Sequence, residues 1–252
     1  MAETMMVGCA EVQITPPVGT ELAGYFHPRV SDGVISELMA KAIVVGEGEE
    51  RVAICACDLI TMTAELSSQA REIIEEETGI AGGRVMICAT HTHTGPELRR
   101  NRPIARNEEW IETLPGLIAE AVIEAAGRQE EAVMSLGSED ERGLAFNRRF
   151  RYKDGREEFG IKDEDEVVGP AGPTDPELGV VTFRRDYDED PFAIIANYSL
   201  HIDVTGGNKI SADFPAVMTD LLRDVYGDEL ICLYVQGACG NINHVPYGLD
   251  RP

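Results

Sequence analysis

Eight short apolar runs constrain this fold more than anything else in the sequence: 5–14, 38–45, 51–58, 84–90, 132–137, 178–185, 192–200 and 230–236. Each has strand length, and clusters of turn-forming residues separate them. Three segments between them carry a helical period instead. In 63–78, Leu66, Ala70, Ile73 and Ile74 share one face and Gly79 stands where a helix would stop. In 107–127 the stripe is Trp110, Leu114, Leu117, Ile118, Ala121 and Val122, and Pro115 predicts a kink or a split. In 213–226, Asp213 is placed to cap, Pro215 sits in the first turn, and Phe214, Met218, Leu221, Leu222 and Val225 form the apolar face. Strands and helices interleave without strict alternation, which predicts an α/β fold with a mixed β-sheet flanked by helices. The chain, 1–252, reads as one unit without internal repeats. The charged, Gly- and Pro-rich segment 148–177 reads as a long loop or hairpin excursion from it.

Charge narrows the partners. Twenty-two basic residues against 45 acidic ones give a net charge of −23, a surface that repels nucleic acid and anionic membranes. The acids are scattered through helices and turns, so solubility is their simplest role. A small-molecule substrate is the expected partner. No run approaches the ~20 apolar residues of a membrane span, and the first residues, "MAETMMVGCAEVQITPP", lack the basic and apolar regions of a signal peptide. The cysteines, Cys9, Cys55, Cys57, Cys88, Cys232 and Cys239, lie mostly inside apolar runs with the spacing of neither a zinc knuckle nor a disulfide framework. They are expected to be reduced in a cytoplasmic protein.

The chemistry concentrates where apolar runs end. "MICATHTHTGPELRR" (86–100) places His91 and His93 one residue apart, in a chain with five histidines. Alternation along a strand would put both on one side, at the C-terminal end where open α/β sheets bind ligands. Such a pair suits one metal ion, usually zinc. The alternative is two packed or surface histidines. "AIIANYSLHIDV" repeats the pattern with His201, the natural third ligand, and Asp203 is placed to orient an imidazole. Taken alone, His201 reads first as a satisfied core or rim histidine. "LYVQGACGNINHVPYG" (233–248) ends another strand in a loop whose Gln236, Asn241 and Asn243 amides could hold a substrate or an oxyanion, with His244 beside them. A tight turn explains the same residues. Asp58, closing "VAICACD", is either a site carboxylate or a cap for the helix that follows. Motifs for phosphate loops and for the G-x-S-x-G nucleophile elbow are absent.

Read in order, "VGCAEVQITPPVGTELAGY", "ICACDLI", "ATHTHTGP", "FNRR", "TDPELGVVTFRR", "NYSLHIDV", "ISADFPA" and "QGACGNIN" resemble the N-terminal catalytic domain of the neutral/alkaline (non-lysosomal) ceramidases and their shorter prokaryotic relatives. His-Thr-His-Thr-Gly-Pro is the most specific of these segments. The resemblance implies a zinc-dependent amidase, with His91 and His201 as metal ligands and His93 contacting the substrate or the reacting oxygen. Zinc would polarise the amide carbonyl and acidify water. Asn243 stands where the sphingolipid-cleaving members carry a serine, which implies a different substrate. The family also draws a Glu and a Tyr ligand from sequence beyond the glycine-rich loop, so the fold is expected to be incomplete at its C-terminus. The isolated chain is then expected to be nearly inactive and to self-associate through an exposed sheet edge.

The expected function is thus zinc-dependent hydrolysis of an amide or related bond, with His93, Asn243 and Asp58 as catalytic candidates. The alternatives are a non-catalytic remnant, or one half of a split metal-binding protein. Less favoured is a TIM-barrel amidohydrolase, which also uses His-x-His but usually on its first strand.

Overall fold

The computed structural model describes residues 4–246. All eight apolar runs are strands of one sheet: β1 (Thr4–Gln13), β2 (Met39–Val45), β3 (Val52–Cys57), β4 (Val85–Ala89), β5 (Glu130–Asp140), β6 (Glu177–Arg184), β7 (Ala193–Tyr198) and β8 (Ile231–Gln236). Their spatial order is β8-β7-β6-β5-β1-β2-β3-β4. The five central pairings are antiparallel, and the outermost pair at each end is parallel. A closed barrel of parallel strands is therefore excluded. The charged excursion folds as a small antiparallel sheet of Arg149–Tyr152, Glu157–Phe159 and Val167–Pro170.

Among the described residues three α-helices form, α1 (Ala64–Thr78), α2 (Glu108–Gly127) and α3 (Phe214–Tyr226). α1 begins where the Thr63 hydroxyl accepts the Leu66 N–H, and stops at Gly79, whose φ of 73° is the left-handed conformation that glycine adopts without strain. Asp58 is therefore not its cap. α2 runs through Pro115 as one helix, so the expected split does not occur. An interior proline costs about 3 kcal/mol. The buried face of Trp110, Ile111, Leu114, Ile118 and Val122 offsets it, each large side chain contributing roughly 1.5–3 kcal/mol. α3 starts at Asp213, whose Oδ1 accepts the Phe214 N–H at 2.6 Å.

Two layers of core position the site. α1 and α2 cover one face of β1–β4, packing Leu66, Ile74, Leu114 and Ile118 against Ala42, Val44 and Cys55. The sheet then curls so that β8, at one end, lies against β2, β3 and β4 at the other. Val7, Ile43 and Ala56 from one half meet Phe183, Ala193, Ile231 and Leu233 from the other in a second core. α3 closes the β7–β8 half with Met218 and Leu222 on Ile194, Leu230 and Cys232. All six cysteines are free thiols; Cys55 and Cys57 share a face with their sulfurs 3.9 Å apart. Among the described residues no helix is long and apolar enough to cross a membrane.

Candidate metal centre

Past Ala89 the chain leaves β4, so His91 and His93 lie in a loop and not on the strand itself. Strand alternation therefore does not align them. Instead His91 takes a left-handed backbone, φ 83°, a conformation that costs a non-glycine residue on the order of 1 kcal/mol or more and that its surroundings hold. Its N–H reaches Leu59 O at 2.9 Å. The loop is stitched to the segment after β7: His93 N–H donates to Ile202 O at 3.2 Å, and Ser211 N–H to Thr94 O at 3.2 Å. The Thr92 and Thr94 hydroxyls both donate to Ser211 O, at 2.7 and 2.9 Å. These two threonines are thus structural, turned away from the cavity.

That stitching carries the histidines together from strands that are not neighbours. His91 follows β4, at one end of the sheet, and His201 follows β7, next to the other end. Yet the His91 and His201 rings lie 4.6 Å apart and those of His93 and His201 4.7 Å. His93 Nε2 is 2.9 Å from His201 Nε2 and 3.4 Å from His91 Nε2, and the three candidate donor atoms fall within 4.8 Å of one another. His91 and His201 thus converge through the curl of the sheet and not from adjacent strands.

The far side of each ring fixes its tautomer. His91 Nδ1 lies 2.7 Å from Ile60 O, and His201 Nδ1 lies 3.2 Å from Cys239 O. A carbonyl only accepts, so both Nδ1 atoms carry the proton and both Nε2 atoms offer a lone pair to the shared point. His93 Nδ1 is buried and faces Asp203 Oδ1 at 3.8 Å. Asp203 also accepts the Tyr25 hydroxyl at 2.7 Å. The Tyr25 ring lies under the Arg29 guanidinium, whose Nη2 donates to His93 O at 2.5 Å and to Ala23 O at 2.6 Å. Gly24 presses directly on the His93 ring: a Cβ there would sit 2.6 Å from His93 Cβ, at a φ of +99°. Burial, the largest influence, holds all three imidazoles below the usual histidine range, His93 and His201 down to about 4. The nearby Arg148 pushes each in the same direction. At neutral pH they are uncharged, the state a metal ligand requires.

The rings open into a cavity of about 750 Å³, lined also by Arg99, Arg102, Arg148, Asn243 and His244. Asn243 belongs to a two-residue strand paired with Phe146–Asn147, and its Oδ1 accepts the Val245 N–H at 3.1 Å. Gln236 and Asn241 do not line the cavity. Gly237 permits a close approach, since a Cβ would meet Ser199 Oγ at 2.3 Å, whereas Gly240 has open space around it. Asp58 is not brought to the histidines. It is buried, its Oδ2 accepts the Met39 N–H at 3.0 Å, and burial raises its carboxyl to about 6 against the opposing pull of Lys41. Tyr25, Arg29, Glu97 and the arginines are site residues that motif spacing does not announce. The signal that was available is the basic stretch "ELRRNRPIAR" directly after the histidine motif in a strongly acidic chain.

The donor set fits a divalent ion of the zinc type: three imidazoles, uncharged, with Nδ1 anchored on two of them and a carboxylate behind the third. No protein-family model matches the chain, and no curated protein matches it by sequence. Among solved structures it is similar to neutral ceramidase from Pseudomonas aeruginosa, with a TM-score of 0.80 and 19% identity over 96% of this chain and 40% of that one. It is also similar to a ceramidase complexed with C2, at a TM-score of 0.78 and 19% identity over 97% of this chain and 39% of that one. The chain thus spans about 40% of the length of these neighbours and shares their fold over that span.

Proposed function

We propose that this chain carries the histidine centre of a zinc-dependent hydrolase acting on an amide or a related bond. The observation that supports it most directly is the convergence of three Nε2 atoms on one point at the wall of a cavity. His91, His201 and His93 would hold the ion. This makes His93 a third donor and not only a group that contacts substrate, because its Nε2 lies as near the shared point as the others. Three protein donors with an open position are the usual arrangement of a catalytic zinc. When bound, such an ion supplies Lewis acidity, polarising a carbonyl and making water a nucleophile near neutral pH.

The chain's own groups do the rest. Ile60 O and Cys239 O keep the Nδ1 protons on His91 and His201. Asp203, itself held by Tyr25, is placed to keep the Nδ1 proton on His93. The Asn243 side-chain oxygen is occupied by the Val245 N–H, so its amide NH2 is the part left to donate to a substrate carbonyl. Asn243 also replaces the serine expected of a sphingolipid-cleaving relative, which favours another amide as substrate. Amide hydrolysis consumes one water and releases a carboxylic acid and an amine.

The test is zinc content and turnover of the chain, before and after chelation, on a panel of simple amides. Bound zinc and chelator-sensitive turnover lost in His91→Ala are the expected result. Because the neighbours are more than twice as long, a second reading is metal binding without turnover by this chain alone, and the same assay separates it: zinc retained, no hydrolysis. Failure to retain zinc at all would overturn both.

A further inference from the structure

The three imidazoles of the centre are not held equally. His91 and His201 each have a ring nitrogen tied to a carbonyl, Ile60 O at 2.7 Å and Cys239 O at 3.2 Å. His93 has no such tie among the described residues. Its Nδ1 is buried without a hydrogen-bond partner there, and the Asp203 carboxylate stands 3.8 Å off, beyond hydrogen-bond reach. Yet its Nε2 is held 3.4 Å from that of His91 and 2.9 Å from that of His201. Whatever places this ring must act on the His93 backbone and on the groups packed beside it.

Arg29 acts on both. It lies between β1 and β2, 64 residues from His93 in sequence, and is only 8% exposed. Its own backbone is pinned, since Leu22 N–H donates to Arg29 O at 2.7 Å. Nη2 donates to His93 O and to Ala23 O, at 2.5 and 2.6 Å, and Nη1 donates to Gly207 O at 2.7 Å. One guanidinium therefore joins three segments: the histidine loop, the stretch that presses Gly24 on the His93 ring, and the chain after β7 that carries His201 and Asp203. Its face also lies 4.0 Å from the centre of the Tyr25 ring. Tyr25 in turn meets His93 edge-on at 6.0 Å and holds Asp203 through its hydroxyl at 2.7 Å. A planar fork with donors on both arms can make these bonds together and still stack on a ring; the point charge of a lysine cannot. Arg29 itself does not line the cavity. We propose that Arg29 is a positioning residue of this centre: it sets the His93 ring at the shared point, through the His93 carbonyl and through Tyr25. The consequence for zinc rests on the hydrolase reading above; the placing of the ring does not.

The sign of the effect separates this role from simple charge. Removing a positive group beside a cation site tightens metal binding by itself, whereas losing a positioning group weakens it. Zinc affinity of the full chain is measured by competition with a chromophoric chelator. Arg29→Gln should weaken zinc about tenfold, the scale of losing an outer partner. Arg29→Lys keeps the charge without the fork and should fall between that variant and the unaltered protein. In a His93→Ala background, Arg29→Gln should weaken zinc by less than about twofold, because the ring it positions is gone. Arg71→Gln removes another arginine-to-carbonyl bond, from Arg71 Nε to Val85 O at 2.9 Å at the far end of β4, and should leave zinc affinity unchanged. In metal-free protein the His93 ring should give one sharp set of NMR signals that becomes doubled or broadened in Arg29→Gln, while those of His91 and His201 stay single. Circular dichroism checks the fold of each variant, and Arg29→Lys carries the same comparisons if Arg29→Gln does not fold. Unchanged or tighter zinc binding in folded variants, an equal loss in the His93→Ala background, or an unperturbed His93 ring overturns the proposal. So does loss of the fold in both Arg29 variants, which would make Arg29 a structural residue only. Absence of zinc from the unaltered protein would sink the hydrolase reading, and the ring signals would then decide this proposal alone.

Discussion

Two of the cavities in this molecule differ little in size but much in what their polar groups are already doing. One, of about 660 Å³, is lined by Cys9, Arg128, Glu130, Arg185, Asp188 and Phe192 among others. There Arg185 and Glu130 are spent on each other: the guanidinium forms a two-pronged pair with the carboxylate at 2.7 and 3.0 Å and stacks 5.1 Å from the Phe192 ring. The Cys9 thiol is pushed up to about 11 by burial and by the Glu130 charge, so it stays protonated and unreactive. The other, of about 750 Å³, holds three imidazoles whose Nδ1 sides are anchored or faced by a carboxylate and whose Nε2 sides, among the described residues, meet only each other. Volume does not separate a binding site from a surface hollow here. Lone pairs aimed at one point, with no donor among the described residues to satisfy them, do.

The sharpest way to break that contrast is to remove a converging donor. His91→Ala or His201→Ala should weaken zinc binding by more than about 100-fold, beyond the 10–100-fold typical of losing an outer partner. Cys9→Ser in the first cavity should leave it unchanged. Competition with a chromophoric chelator reads both. Equal effects from the two cavities would mean that the histidine cluster is not the metal site.

Acid titration sharpens the same contrast. His93 and His201 are held near 4 in the folded protein against about 6.5 when unfolded. Between those values the unfolded chain binds more protons, so the stabilising contribution is present above about 6.5 and is lost as pH falls toward 4. Asp58, raised to about 6, works in the opposite sense and offsets one histidine over the same window. The metal-free protein should lose on the order of 3 kcal/mol between pH 7 and pH 4 through these groups. Urea midpoints should show this slope, and His93→Gln/His201→Gln should reverse it, leaving the opposite contribution of Asp58. An unchanged slope in that variant would show that the histidines are not held neutral.

A smaller effect is expected at Gly24. A Cβ there meets the His93 ring and the φ is positive, so Gly24→Ala should cost roughly 1–3 kcal/mol and weaken zinc binding through His93. Gly83→Ala, where nothing lies within 4 Å, should do neither. The smallest effect is at the carboxylate behind His93. Asp203→Asn should weaken zinc about tenfold, with Tyr25→Phe falling short of that. If Asp203→Asn leaves zinc affinity untouched, His93 is oriented by the loop alone.

The sequence by itself determined the inventory of elements. All eight apolar runs became strands and all three periodic segments became helices, because strand and helix are local consequences of side-chain period, turn residues and caps such as Thr63 and Asp213. It also marked His91, His93 and His201 as the residues of interest, since a polar residue at the end of an apolar run is a local signal. What it misjudged were effects decided by distant contacts. Pro115 did not break α2, because the burial of that helix face outweighs one lost hydrogen bond. Asp58 ended its strand as marked, yet its carboxylate is buried and accepts the Met39 N–H from the neighbouring strand. Only tertiary structure brought His91 and His201 together from opposite halves of the sheet. The curl that places β8 against β2–β4 comes from apolar burial between two halves, and that energy depends on area and shape and not on the order of residues along either strand. The same long-range packing sets Tyr25 on Asp203 and Arg148 against the glycine-rich loop, contacts that span 178 and 92 residues of chain and leave no periodic trace in either segment.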